Sequence, residues 1–141
     1  MHTRAHVRRT NVEDVMIGYA MLGTNQYEKA LDFYDKLFAP MGGKRMMDFG
    51  VSVVYGTDKG GAMLGVGKPY NKQPASYGNG AMIALAMPSK EKVDEMYTRA
   101  IELGAADEGP AGARGDTFYA GYFRDLDHNK LCVFWTPQNP A

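Results

Sequence analysis

Two rhythms of apolar residues alternate along this chain, and they alternate twice. Met16–Gly23 (MIGYAMLG) is a short apolar run that stops at Thr24-Asn25, which predicts a buried strand. In the segment after it, QYEKALDFYDKLFAPMGG, residues Tyr27, Leu31, Tyr34, Leu37 and Phe38 recur at helical spacing. Asn25 is the expected N-cap of that helix, and Pro40 with Gly42-Gly43 ends it. Three strand-like stretches follow: Lys44–Phe49, Val51–Tyr55 and Ala62–Val66. They are punctuated by Gly50 and by the turn Thr57-Asp58-Lys59-Gly60-Gly61. Gly67–Gly80, with Pro69, Pro74 and several polar residues, reads as a linker.

The order then starts again. Ala81–Met87 (AMIALAM) reads as a second buried strand closed by Pro88. Ser89 is the expected cap of a helix running to Leu103, with Val93, Met96, Tyr97, Ala100 and Ile101 on one face and Gly104 at its end. A Gly/Pro/Ala loop leads to a strand over Thr117–Arg124, a tight turn Asp125–Asn129 and a last strand Lys130–Trp135. Tyr19 and Met82, Asn25 and Ser89, and Met63 and Cys132 occupy corresponding places, so the halves share one plan without sharing residues. The predicted organisation is an extension over 1–15, a first module over 16–68, a linker over 69–80 and a second module over 81–136, with 16–136 forming one domain.

Composition narrows the function classes. Among 141 residues, Lys+Arg and Asp+Glu number 16 each, so the formal charge is zero. That balance argues against an electrostatic grip on nucleic acid or on a membrane surface. A single cysteine, Cys132, excludes an internal disulfide. With no apolar run of membrane-spanning length and no apolar signal core at the N-terminus, the expected location is the cytoplasm. The extension carries Arg4, Arg8, Arg9, His2 and His6 and reads as a disordered or loosely docked arm. His2 and His6 have the spacing of a metal pair on one helix face, with no further ligand nearby.

ALDFYDKLFAPMGG after the first strand, IALAMPSKEKVDEMY, and the hairpin YFRDLDHNKLCVFW together resemble the vicinal oxygen chelate superfamily: glyoxalase I, bleomycin-resistance proteins and extradiol dioxygenases. The resemblance implies an α+β fold of two tandem βαβββ modules whose curved sheets enclose a cleft, often completed by a homodimer. Enzymes of that family hold a divalent metal on inward-facing His and Glu side chains, which leave open positions for vicinal substrate oxygens. Motif by motif, those positions fall here on Tyr19, Met82, Cys132 and, around Met63 or Gly65, a fourth. None is a carboxylate or an imidazole. A Tyr/Met/Cys set suits at best Cu(I), held through the Met and Cys sulfurs, and Met and Cys in strands ordinarily serve as packing.

Strand alternation gives these positions another use. Tyr19 and Met21 share one face, Met82 and Ala84 another, and Cys132 and Phe134 a third. If Arg124 pairs with Lys130, Tyr122 lies opposite Cys132. With Tyr55 and Met63, these nine residues form the expected cleft lining. The sequence therefore reads as a metal-free, cofactor-free binder of a small apolar or aromatic molecule, dimeric, with no nucleic-acid or membrane partner. Two alternatives stay open. One is a lyase, isomerase or dioxygenase with an atypical site, using Tyr19 and Cys132 or displaced ligands such as Asp48 or Asp116. The other is a structural dimer whose ten methionines fill the cleft. His128 and the Asp125/Asp127 pair read as turn residues, the aspartates bonding local backbone. Lys44 and Arg45 read as surface charges. The glycine-rich Gly56–Gly61 lacks the strand–loop–helix setting of a phosphate loop.

Overall fold

A computed structural model describes residues 15–137. The first module runs β1 (Tyr19–Gly23), α1 (Tyr27–Phe38), β2 (Lys44–Asp48), β3 (Ser52–Gly56) and β4 (Met63–Gly67). The second runs β5 (Ile83–Ala86), α2 (Lys90–Glu102), β6 (Ala106–Ala113), β7 (Tyr119–Arg124) and β8 (Lys130–Trp135). Each module folds into a four-stranded sheet, ordered β1-β4-β3-β2 and β5-β8-β7-β6. In each, the first strand pairs parallel with the last, and the other pairings are antiparallel. This is the α+β architecture of two βαβββ modules that the sequence predicts. Among the described residues no helix is long and apolar enough to cross a membrane. The basic extension, with His2 and His6, lies almost wholly outside the described residues.

The helices form where the apolar stripes are. In α1, Ala30, Leu31, Phe33, Tyr34, Leu37 and Phe38 are buried, while Asp32 and Lys36 make an i,i+4 ion pair at 3.0 Å on the wet side. The stripe ends in a 3-10 turn over Ala39–Met41, and Gly42, at φ 79°, takes the left-handed conformation that turns the chain into β2. In α2 the Ser89 hydroxyl accepts from the Lys92 amide at 3.1 Å, the cap the sequence predicts.

Two local expectations are corrected. Asn25 does not cap α1: Gln26 occupies that position, and the Thr24 hydroxyl accepts the Gln26 amide at 3.0 Å. The Asn25 side chain instead clamps the linker, donating to the Ala75 carbonyl at 3.0 Å and accepting the Ala75 amide at 2.7 Å. The Gly/Pro/Ala stretch is not a loop but the strand β6. It pairs only with β7 and is interrupted by register shifts between Asp107 and Gly112. An edge strand needs one hydrogen-bonded side, which is why Pro110 is tolerated there.

One core serves both modules. Residues of α1, β3 and β4 join residues of α2, β7 and β8 in a single buried cluster, among them Leu37, Val53, Val66, Met96, Phe123 and Val133. The joint between modules is polar and non-local. Tyr34 donates its hydroxyl to Asp125 at 2.6 Å, and the Asn129 side-chain Nδ2 donates to the Gly23 carbonyl at 3.0 Å. Asp127 accepts from the Thr24 hydroxyl at 2.5 Å and from the Asn25 amide at 2.9 Å, so a carboxylate of the second module sits at the entry to α1. Arg99 on α2 donates to the Lys36 carbonyl at 2.7 Å. With the helices packed on one side of each sheet, the other side of each is left open.

Candidate functional site

The open side of the first sheet forms a cavity of about 1650 Å³. Its floor is the alternate residues of β1 and β3, Tyr19, Met21 and Val54, with Met47 of β2 beside them. Phe49 and Val51, from the turn joining β2 to β3, extend the floor. The linker Lys68–Ser76 makes a wall, held near the sheet by the clamp between Asn25 and Ala75. Much of the floor meets solvent: Tyr19 is 57%, Met21 49%, Phe49 63% and Val51 56% exposed.

Small residues shape this floor. Gly65 pairs across β1 and β4 with Met21, whose thioether lies over the bare Cα and leaves no room for a Cβ there. A register shift between Arg45 and Met47 lets both Met46 and Met47 face the open side. Met46 and Met63 cover Gly56, where a Cβ would lie 3.1 Å and 2.8 Å from their Cγ atoms.

The structure separates the nine residues expected to line one cleft. Tyr19 and Met21 line the cavity. Met63 shares their face, paired with Tyr19, at the end away from the linker wall. Met82 precedes β5 and is 43% exposed. Ala84, Cys132 and Tyr122 lie side by side across β5, β8 and β7, since Ala84 pairs with Cys132 and Tyr122 with Cys132. Phe134 stacks on Phe118, ring centroids 5.5 Å apart. These second-module residues occupy the open side of the second sheet, outside the first-sheet cavity.

Tyr55 is a correction. It points to the helix side, 2% exposed, with its ring against Phe38 and its hydroxyl donating to Asp35 at 2.8 Å. Period-two alternation assigns the open side to Val54, so Tyr55 falls on the wrong parity for the cleft. Arg45 is likewise more than a loose surface charge: Nε and Nη2 grip the Asp35 carboxylate at 2.9 and 2.8 Å. Burial pushes the Asp35 carboxyl up, but hydrogen bonds from Arg45 and Tyr55 outweigh it and hold the group below its ordinary 3.8. Asp125 behaves as the turn reading expects, its Oδ1 accepting the amides of Asp127 at 2.8 Å and Asn129 at 2.9 Å.

The residues that sequence reasoning missed are Met47, Phe49, Val51, Val54 and the linker wall. Phe49-Gly50-Val51 carried a signal, because two large apolar residues flanking a turn glycine have no local core to enter. The linker carried none, since its placement depends on Asn25, fifty residues away.

Chemically, the cavity joins an apolar floor to a polar wall of amides and hydroxyls that also carries the ammonium groups of Lys68 and Lys72. None of its lining residues is His, Cys, Asp or Glu, and among the described residues no three such side chains gather within reach of one ion. The donor set therefore does not fit a hard divalent metal, which takes imidazole and carboxylate ligands. Cys132 lies on the second sheet, 1% exposed, and burial pushes its thiol up to about 11 despite the nearby Lys130. A thiol so placed is almost entirely protonated at neutral pH.

Comparison with known proteins agrees with this architecture. Residues 16–133 match the family model of the Glyoxalase/Bleomycin resistance protein/Dioxygenase superfamily. A glyoxalase/bleomycin resistance protein from Albidiferax ferrireducens is 31% identical, with TM-score 0.77, and the match covers 86% of this chain and 99% of that one. A glyoxalase-related enzyme from Fulvimarina pelagi shares the fold at 18% identity and TM-score 0.71, over 89% of this chain and 95% of that one. Lactoylglutathione lyase from Agrobacterium tumefaciens does so at 22% identity and TM-score 0.63, over 84% and 92%. No curated protein matches the sequence.

Proposed function

Because the chain belongs to the glyoxalase/bleomycin resistance protein/dioxygenase superfamily, we propose that it uses the family fold to bind a small apolar or aromatic molecule, without a divalent metal, in the open cavity of its first sheet. The observation that carries this reading is the floor itself. Tyr19, Met21, Phe49 and Val51 are about half exposed around a space of about 1650 Å³ with no ionisable metal ligand in its lining. Full burial of one such side chain is worth about 1.5–3 kcal/mol, so a ligand covering several of them gains enough to offset the cost of association. The thioethers of Met21 and Met47 adapt to varied shapes, and the Tyr19 hydroxyl with the linker amides offers a few polar contacts. The protein acts as a homodimer in this reading, a second copy covering apolar side chains that one chain leaves in water, such as Met46 and Met82.

Titration with Nile red, an uncharged apolar fluorophore, tests the reading. Saturable fluorescence enhancement is expected in the wild type, together with no stoichiometric Zn, Ni, Mn or Fe by elemental analysis. Met21→Asp keeps its fold, because the position already reaches water, and loses the enhancement. Met82→Asp, outside the cavity, retains it. Absence of saturable binding, an unaffected Met21→Asp, or one divalent metal per chain overturns the proposal. Sedimentation of both variants shows whether a lost signal reflects a broken dimer instead, which would assign the face to the second copy.

A further inference from the structure

On the open side of the second sheet, Tyr122 carries two cations. The Arg114 guanidinium lies 5.5 Å from its ring centroid and the Lys130 ammonium also 5.5 Å. Arg114 is fixed rather than free. Its Nη1 donates to the Gly112 carbonyl at 3.0 Å and its Nη2 to the Pro110 carbonyl at 2.7 Å. A longer contact of 3.5 Å joins Nη1 to the Ala113 carbonyl. The irregular edge strand β6 makes room for it: a Cβ on Gly109 would stand 3.3 Å from Nη2, and one on Gly112 would stand 3.4 Å from Nη1. The missing Cβ at Gly109 eases the approach of the guanidinium to the strand beside the Tyr122 ring.

A guanidinium has five donors. The anchoring bonds leave the Nε–H and the second Nη2–H of Arg114 without a protein acceptor among the described residues. That is the same edge with which Arg45 grips the Asp35 carboxylate at 2.9 and 2.8 Å. No carboxylate among the described residues forms an ion pair with Arg114 or Lys130; Glu108, on the same strand β6, is held by Arg124 at 3.3 Å. The Tyr122 hydroxyl makes no hydrogen bond among those residues either. Each cation is attracted to the ring, so two positive charges flank one aromatic side chain with no carboxylate among the described residues paired to either.

The geometry points to Arg114, Tyr122 and Lys130 as a binding site for a small organic carboxylate. The free Nε/Nη2 edge of Arg114 takes both carboxylate oxygens in parallel, Lys130 supplies the second positive charge, and the Tyr122 hydroxyl is a further donor. The site is on the second sheet and does not depend on the proposed first-sheet cavity.

The test uses benzoate as the anion and benzamide as its uncharged counterpart, followed by amide and arginine Nε–H signals in ¹H–¹⁵N spectra of the full chain. Benzoate is expected to shift the Arg114 Nε–H and the Tyr122 amide saturably, and benzamide is not. Arg114→Gln should weaken benzoate binding by about tenfold or more, and Lys130→Gln by several-fold, as charge-assisted bonds require. Met21→Asp should leave it unchanged. Equal shifts with benzamide, an unmoved Arg114 Nε–H, or an unchanged affinity in Lys130→Gln overturns the proposal. Because Arg114 also ties down β6, Lys130→Gln decides the matter if Arg114→Gln is poorly folded.

Discussion

Tyr34→Phe removes one oxygen from the joint between the modules, and its cost can be worked from the surroundings. Tyr34 is 1% and Asp125 5% exposed, and the hydroxyl donates to Asp125 Oδ2 at 2.6 Å. Hydrogen bonds to a charged group contribute about 1.5–3 kcal/mol. The carboxylate would not be orphaned, because the Asn129 side-chain amide still donates to Oδ2 at 3.0 Å and two backbone amides still serve Oδ1. The loss therefore falls in the lower half of that range, about 2 kcal/mol. The isosteric ring keeps its packing against Phe33 and Phe38. For a domain of this size the fall in Tm is about 6–8 °C. Thermal and urea unfolding followed by circular dichroism measure it, with Tyr55→Phe as the reference. Tyr55 donates to Asp35, whose side chain is 40% exposed, so its loss should cost less than 1 kcal/mol. A Tyr34→Phe variant within 0.5 kcal/mol of wild type, using about 0.5 as the scatter of neutral substitutions, refutes the idea that this bond ties the modules together. So does a larger cost at Tyr55.

Two further outcomes follow from the ionisable groups. Cys132, with its thiol pushed to about 11 by burial, should react with iodoacetamide at pH 8 only slowly in the folded protein and rapidly in urea; stoichiometric alkylation of the native state within minutes would contradict its placement. Asp35 is held below 3.8 in the folded state, so its contribution to stability is present above that value and is lost as pH falls through the lower, folded one. Asp35→Asn should flatten the stability–pH curve below about pH 4 while costing little at pH 7, because the pair is exposed enough to be screened; an unchanged curve in acid refutes the assignment.

How much of this was legible along the chain depends on how far each residue's partner lies. Both helices and the last strand were legible, because a stripe such as Leu31, Tyr34, Leu37 and Phe38, or a cap such as Ser89, expresses constraints within a few residues. The pairing of Tyr122 with Cys132 was legible for the same reason, since a tight turn sets the hairpin register. The strand β6 was not: its glycines and Pro110 read as loop, and only the exposed edge of β7 recruits them. Tyr55 and Val54 differ by one residue, and only pairing with β4 and packing on α1 decides which of the two meets the cavity. The linker wall and the seat of Arg114 depend on partners brought together by folding, Asn25 with Ala75 and Arg114 with Gly109 and Tyr122. The elements and their order follow from the chain alone, because helix stripes and strand alternation are short-range consequences of backbone geometry. The tertiary structure alone decided which faces stayed open and which polar groups met, because those outcomes rest on contacts between segments far apart in the chain.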